Sequence, residues 1–489
     1  GMAWEALDNI ADSSDKHLVV VVNDNGRSYA PTIGGLAHHL DALRTNPGYE
    51  RMLAGVKRTL LTQGAPGRAA FDALHGLKRG LKDVLVPSAF FEDLGIKYTG
   101  PVDGHDETAL EFALTRAREY ADPVIVHVIT EKGRGYTPAE EDVVDRFHAV
   151  GRIHPETGLP IVPSRFGWTS VFAEEILELA RADERIVAVT AAMQQPVGLQ
   201  PMADALPDRV IDVGIAEQHA LTASAGMAFA GLHPVVALYA TFLNRAFDQV
   251  LMDVGLHHAG VTIVLDRAGL TGTDGASHNG MWDMALLSHV PGLRLAAPRD
   301  ETTLREDLRI AAATSDGPTV LRYPKGALPE RAPALRVMGP PNDPFEAVDV
   351  LMEADDGGPG ERRLVLVAVG AMTPAVLAAG RDLADEGRAV AVVAPRWVVP
   401  IPRALVETAR SFDGVVVVED GLVDGGIGSQ LRDALEDNAA ETGRRRPVVA
   451  RVGVPRRFLG TASRKQLLAD FGMDTEGIAA TARRLLSAV

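Results

Sequence analysis

VIDVGIAEQHALTASAG, residues 210–226, changes character half-way along. Val210 to Ile215 is a short apolar run of the kind that forms a buried strand. The Ala, Leu, Thr and Gly residues behind it predict a helix packed close to a neighbour. A strand that passes straight into a helix is half of a crossover unit, and crossovers are what parallel sheets require. Glu217 stands at the join, an acid at the mouth of a helix of small residues, with no Lys or Arg in the ten positions that follow it.

The same alternation extends in both directions. Val- and Ile-rich runs occur at LVVVV (18–22), VIVHVIT (124–130), IVAVT (186–190), VVALY (235–239), VTIVLD (261–266), LRLAAP (293–298), TVLRY (319–323), LVLVAVG (364–370), AVAVVAP (389–395) and GVVVVED (414–420). Segments of helical periodicity follow most of them, among them DETTLREDLRIAAA (300–313) and TPAVLAAGRDLADEG (373–387). Near-continuous apolar strands between helices predict an α/β protein whose parallel sheets are covered on both faces. Two Pro- and Gly-rich stretches, 150–167 and 329–344, predict linkers and divide the chain into 1–150, 165–330 and 345–489. Residues 43–90 predict a basic, mostly helical excursion with no clear strand.

A chain of 489 residues is too long for one core. With 46% hydrophobic and 23% charged residues it has an ordinary globular composition. No apolar run reaches the roughly 20 residues of a membrane span, and no signal-peptide pattern opens the chain, so a cytoplasmic protein without a membrane partner is expected. The absence of cysteine excludes disulfides and thiolate metal sites. A formal charge of −16 argues against a nucleic-acid partner, although arginines gathered locally can still hold small anions.

Five segments carry candidate chemistry. VVVVNDNGRSYAP (19–31) runs a buried strand into Asn-Asp-Asn-Gly, at the strand end where open α/β sheets bind ligands. That run is equally good turn sequence. TEKGRGYTPAE (130–140) offers a glycine-rich loop that Tyr136 can close, or a plain surface loop. Glu217 is either a functional acid or a helix-capping one. LDRAGLTGTDGASHNGMWD (265–283) strings Arg267, Asp274 and His278 among glycines, costly to order and too long for a mere connector. Arg267 can fork onto a carboxylate or phosphate, and His278 can move protons near neutral pH. In TVLRYPKG (319–326), Arg322 reads equally as a ligand or a structural ion pair. GGIGS (425–429), after VVVVED, is too short a signal for a dinucleotide site.

Taken together, NDN, GPVDGHD (100–106), KGRGY, FHAV (147–150), DVGIAEQHA, YATFLNRAFDQ (239–249), DRAG…DGASHNG and LRYPKG resemble, in order, the 1-deoxy-D-xylulose-5-phosphate synthases of the transketolase-like, thiamine-diphosphate-dependent group. The resemblance implies three doubly wound, mainly parallel-sheet domains: a diphosphate-binding domain represented only by its C-terminal part, a pyrimidine-binding domain and a transketolase-type C-terminal domain. A metal-ligating aspartate of the family's GDG motif is then expected outside this chain. The implied reaction joins pyruvate to D-glyceraldehyde 3-phosphate with loss of CO2, in a homodimer. Glu217 matches the glutamate that hydrogen-bonds the cofactor's aminopyrimidine, and its partner is expected to be the cofactor rather than a cation. Asn25 and the carbonyl of Arg27 match Mg2+ ligands. Tyr136, Phe242 and Tyr239 match cofactor contacts. Arg267, Asp274 and Arg322 are the expected substrate-binding residues, and His278 and His148 are expected to act in hydroxyl recognition and proton transfer. Two other readings accompany the resemblance: another transketolase-like enzyme, or an inactive, truncated relative acting as a binding partner.

Overall fold

The computed structural model describes residues 4–12, 16–27, 31–32, 91, 94–143, 145–148, 150–161, 166–355, 362–442 and 446–488. The excursion expected over 43–90 lies outside them. The chain forms two compact units, residues 1–163 with 214–216, and 164–213 with 217–489.

In the first unit, β1 (Val19–Asp24), β2 (Lys97–Asp103) and β3 (Val124–Ile129) form a parallel sheet in the order β1-β3-β2. The central strand, VIVHVI, is buried along nearly its whole length, which is why it reads as an unbroken apolar run. The crossover from β2 to β3 is the helix Glu107–Arg118, whose N-terminus is capped by Asp106 accepting from the N–H groups of Thr108 and Ala109.

The second unit holds two sheets. Strands β4 (Ile186–Thr190), β5 (Val210–Asp212), β6 (His233–Tyr239), β7 (Thr262–Asp266), β8 (Arg294–Ala296) and β9 (Thr319–Arg322) are mutually parallel, in the order β8-β9-β7-β6-β4-β5. The second sheet contains β10 (Arg336–Met338), β11 (Val348–Met352), β12 (Leu364–Ala368) and β13 (Val390–Pro395). After β14 (Trp397–Val399), it is completed by β15 (Gly414–Leu422) and β16 (Val448–Val454). Its order is β10-β11-β13-β12-β15-β16, parallel from β13 to β16 and antiparallel at β10 and β11. Strand β14 leaves this sheet and pairs antiparallel with β8, adding a seventh strand to the other one.

The helices expected at 300–313 and 373–387 form as Glu301–Ala313 and Thr373–Asp385, the former capped by Asp300. The stretch 329–344, expected to be a linker, contains β10, whose Arg336 pairs with Val350. Its prolines lie on either side of the three-residue strand and leave the ladder intact. The GGIGS turn opens the helix Ile427–Thr442, and its N-terminal donors are taken internally: the N–H groups of Ile427 and Gly428 donate to the buried Glu419 carboxylate at 2.8 and 2.9 Å. A side-chain carboxylate thus fills the place a phosphate would occupy.

Candidate active site

In each unit the candidate residues lie at the C-terminal ends of parallel strands, where the sheet's backbone turns outward. In the first unit β1 runs into a turn stitched by its own side chains. Asp24 Oδ1 accepts from the N–H of Gly26 at 2.9 Å, and Asn25 Oδ1 accepts from the N–H of Arg27 at 3.1 Å. Asp24 is itself held by His127, fully buried on β3, whose Nε2 is 3.0 Å from Oδ2. His127 Nδ1 is 2.7 Å from the Tyr98 hydroxyl. The Asn25 oxygen keeps a second lone pair, so it and the Arg27 carbonyl suit a hard cation. Among the described residues no group of three or more His, Cys, Asp or Glu side chains could hold a metal ion.

Tyr136 follows the glycine loop and donates its hydroxyl to the carbonyl of Pro155 at 2.8 Å, with its ring edge-on to Phe147. His148 is exposed, its Nδ1 2.6 Å from Lys132 Nζ, which makes that nitrogen an acceptor. Burial first, then the nearby Arg27, holds the Lys132 ammonium below its usual range, against the pull of Asp145.

In the second unit Glu217 is the first residue of the helix Glu217–Phe229 and is buried. The expectation that it has no cationic partner is overturned. Arg245 Nη1 donates to Oε1 at 3.3 Å and lies 3.0 Å from Oε2. No short window along the chain could reveal this pair, because β6 and the turn Ala240–Ala246 carry Arg245 back to the start of the helix. Among the described residues Oε2 receives no aligned hydrogen bond, although the Arg245 ion pair reaches it. A buried carboxylate oxygen short of a donor is costly unless a further partner completes its shell.

Tyr239 ends β6, and its ring stacks on Phe242 with centroids 5.8 Å apart and planes 10° from parallel. Phe242 in turn meets His278 edge-on at 5.8 Å. Arg267 follows β7 in the left-handed region at φ 59°, and its guanidinium lies 3.9 Å from the Tyr239 ring centroid. Its Nη1 is 3.3 Å from Asp266 Oδ1. Burial raises the Asp266 pKa, opposed by Arg267 and by the Thr169 hydroxyl that donates to Oδ2 at 2.6 Å. Ser277 Oγ is 2.9 Å from His278 Nδ1. Asp274 accepts from Lys325 Nζ at 2.8 Å on both oxygens. Glu217, Tyr239, Phe242, Arg267, Asp274 and His278 therefore share one end of one sheet.

Arg322 does not join them. Its side chain is 2% exposed, with Nε donating to Asp283 Oδ2 at 2.6 Å and Nη1 to Asp420 Oδ1 at 2.7 Å. Arg322, expected as a substrate ligand, is held between two buried carboxylates, and its Nη2 has no hydrogen-bond partner among the described residues. Lys325, three residues on and 44% exposed, is the cation of LRYPKG that faces the loop. Lys325 and Arg245 were both inside quoted motifs; their proximity to known acids across the sheet ends was the missing signal.

The parallel-sheet architecture and the comparisons with known proteins place the chain among the thiamine-diphosphate-dependent transferases of the transketolase type. Three family profiles match along the chain: 1-deoxy-D-xylulose-5-phosphate synthase over residues 1–130, transketolase pyrimidine binding domain over 164–331, and transketolase C-terminal domain over 359–478. The chain belongs to the 1-deoxy-D-xylulose-5-phosphate synthase family. It is 55% identical to 1-deoxy-D-xylulose-5-phosphate synthase 2 of Streptomyces coelicolor over 98% of this chain and 72% of that protein. It is 56% identical to 1-deoxy-D-xylulose-5-phosphate synthase 1 of Kitasatospora griseola over 99% of this chain and 73% of that one. Among solved structures, a chain described as a split gene transketolase, inactive beta4 tetramer, superposes with a TM-score of 0.55 at 28% identity, covering 65% of this chain and 97% of that one. No helix among the described residues is long and apolar enough to cross a membrane.

Proposed function

We propose that this chain condenses pyruvate with D-glyceraldehyde 3-phosphate, releasing CO2 and forming 1-deoxy-D-xylulose 5-phosphate, a precursor for isoprenoid synthesis. It does so as a cytoplasmic homodimer with thiamine diphosphate and Mg2+. Bound thiamine diphosphate supplies the electron sink that decarboxylation and carbon–carbon bond formation need. Glu217 holds a proton at Oε2 toward the aminopyrimidine, and Arg245 steadies its carboxylate. Phe242, backed by Tyr239, presents a flat apolar face for a heteroaromatic ring. Asn25 and the Arg27 carbonyl bind Mg2+, and Tyr136 closes over the cofactor. Arg267 and Lys325 hold the anionic groups of the substrates. Asp274 and His278 recognise hydroxyls, and His278 and His148 move protons.

The observation that most supports this reading is the Glu217 carboxylate, buried, paired with Arg245 and, among the described residues, with no aligned hydrogen-bond donor at Oε2. Calorimetric titration with thiamine diphosphate, with and without Mg2+, followed by measurement of CO2 release from pyruvate, tests it. Metal-dependent binding and release that requires glyceraldehyde 3-phosphate are expected. Turnover of ketose donors instead of pyruvate would point to a transketolase, and absence of binding would overturn the proposal.

A further inference from the structure

The loop that carries Arg267, Asp274 and His278 is held from behind by residues far along the chain. Arg464, at the start of the helix Arg464–Asp470, donates from Nη1 to the carbonyl of Leu270 at 2.5 Å and from Nη2 to Asp420 Oδ2 at 2.9 Å. Asp420, fully buried on β15, uses its other oxygen to accept from Arg322, which reaches on to Asp283 just beyond the loop. The loop backbone is shaped for this approach. Gly269 has φ 71°, and a Cβ there would lie 2.2 Å from Asp420 Oδ2; Gly272 has φ 83°, and a Cβ there would lie 2.7 Å from the backbone nitrogen of Arg464. The apolar side chains agree: Leu270 and Met281, at the two ends of the loop, are buried in the same cluster as Leu366, Val418 and Leu467 of the C-terminal segment.

We infer that Arg464 and Asp420 are positioning residues for the substrate loop, so that the C-terminal domain forms the back wall of the active site. The inference rests on the proposed role of that loop in binding substrate. The loop's own bonds are local, with Gly269 bridged to Gly280 and the buried Asn279 accepting from Thr271, so its placement against the rest of the fold comes from the contacts behind it. Two charge-assisted hydrogen bonds from one guanidinium tie Leu270 to Asp420, and Asp420 is tied through Arg322 to Asp283, so one brace spans both ends of the loop. Arg267 sits three residues before Leu270, and a small displacement there misplaces the anion-binding fork.

Amide hydrogen exchange of the full chain, compared with Arg464→Gln and Arg464→Lys, tests the brace without requiring turnover. Arg464 is 24% exposed at its side chain, so both replacements are accommodated on the surface side. In Arg464→Gln the amides of 267–280 are expected to exchange about tenfold faster, with the strands β4 and β12 unchanged, and Arg464→Lys is expected to fall between. In the active protein the KM for glyceraldehyde 3-phosphate rises about tenfold, while thiamine diphosphate affinity stays within about twofold. Unchanged exchange over 267–280, or equal loss of protection throughout 164–489, would overturn the inference. Loss of turnover in the unmodified chain would instead overturn the proposed reaction and leave the exchange result standing.

Discussion

Arg245 Nη1 stands 3.0 Å from Glu217 Oε2 and donates to Oε1 at 3.3 Å, so one cation steadies both oxygens of the buried acid, while among the described residues Oε2 has no aligned hydrogen-bond donor. Glu217→Gln is expected to lower kcat by about 10²- to 10⁴-fold, because the amide cannot take up or release the proton. Arg245→Met leaves the carboxylate buried without its partner and is expected to cost about 2 kcal/mol in chemical denaturation. Combining it with Glu217→Gln should recover most of that loss, and additive losses would show that the pair is not coupled.

Arg322 and Arg267 should separate stability from binding. Arg322→Met leaves the buried Asp283 without its cation and Asp420 with Arg464 alone, and is expected to destabilise by about 3–5 kcal/mol. Arg267→Lys keeps a charge beside Asp266 but loses the planar fork over Tyr239. It should raise the KM of an anionic substrate about tenfold with under about 1 kcal/mol lost. Urea melts and steady-state kinetics on the two variants decide the matter.

Lys325 is half exposed and paired with Asp274, so the pair itself contributes little to stability. Lys325→Met is expected to leave the melting temperature nearly unchanged and to raise the KM for the phosphate-bearing substrate about tenfold. That KM should also become less sensitive to ionic strength. An equal rise for pyruvate would place the lysine on the other substrate.

Two buried groups should give opposite pH dependences. Burial pushes Glu419 up from 4.5 to about 7, against the two N–H groups that donate to it. Its proton is therefore held more tightly in the folded chain, and the stability this lends is present below pH 4.5 and lost as pH rises toward 7. Burial, with Arg185 nearby, pulls His233 from 6.5 down to about 4, so its contribution is present above pH 6.5 and lost as pH falls toward 4. Glu419→Gln should make stability rise more steeply with pH between about 4.5 and 6.5, and His233→Gln should make it fall. Unaltered slopes in either variant would contradict the assignment.

Strand-by-strand, the apolar runs reported the sheets well because buried parallel strands need little else: IVAVT, VTIVLD and LVLVAVG each became a strand within two residues of its expected bounds. The strands that escaped notice lack that signature. KYTGPVD carries a Gly-Pro in the middle of β2, RVM and WVV are only three residues long, Asp349 interrupts VDVLM, and Arg451 interrupts VVARVGV. In the site, Glu217 and Arg267 could be singled out because each sits at a strand-to-loop join, whereas Phe242 came only through the family resemblance. Pairings were not legible, since Arg245 with Glu217 and Arg322 with Asp420 depend on which strands neighbour each other. Arg322 and Lys325 sit three positions apart in one motif, and only the direction in which β9 ends tells them apart.

Strand β14 gives the chain a constraint on its own synthesis. The outer edge of the seven-stranded sheet, Arg294–Ala296, is finished only when Trp397–Val399 arrives from beyond the second sheet's first four strands. A nascent chain that has completed β9 still displays an open edge to its neighbours on other ribosomes. A fragment ending at residue 331 would carry the same defect permanently, so it is expected to self-associate where the full second unit does not.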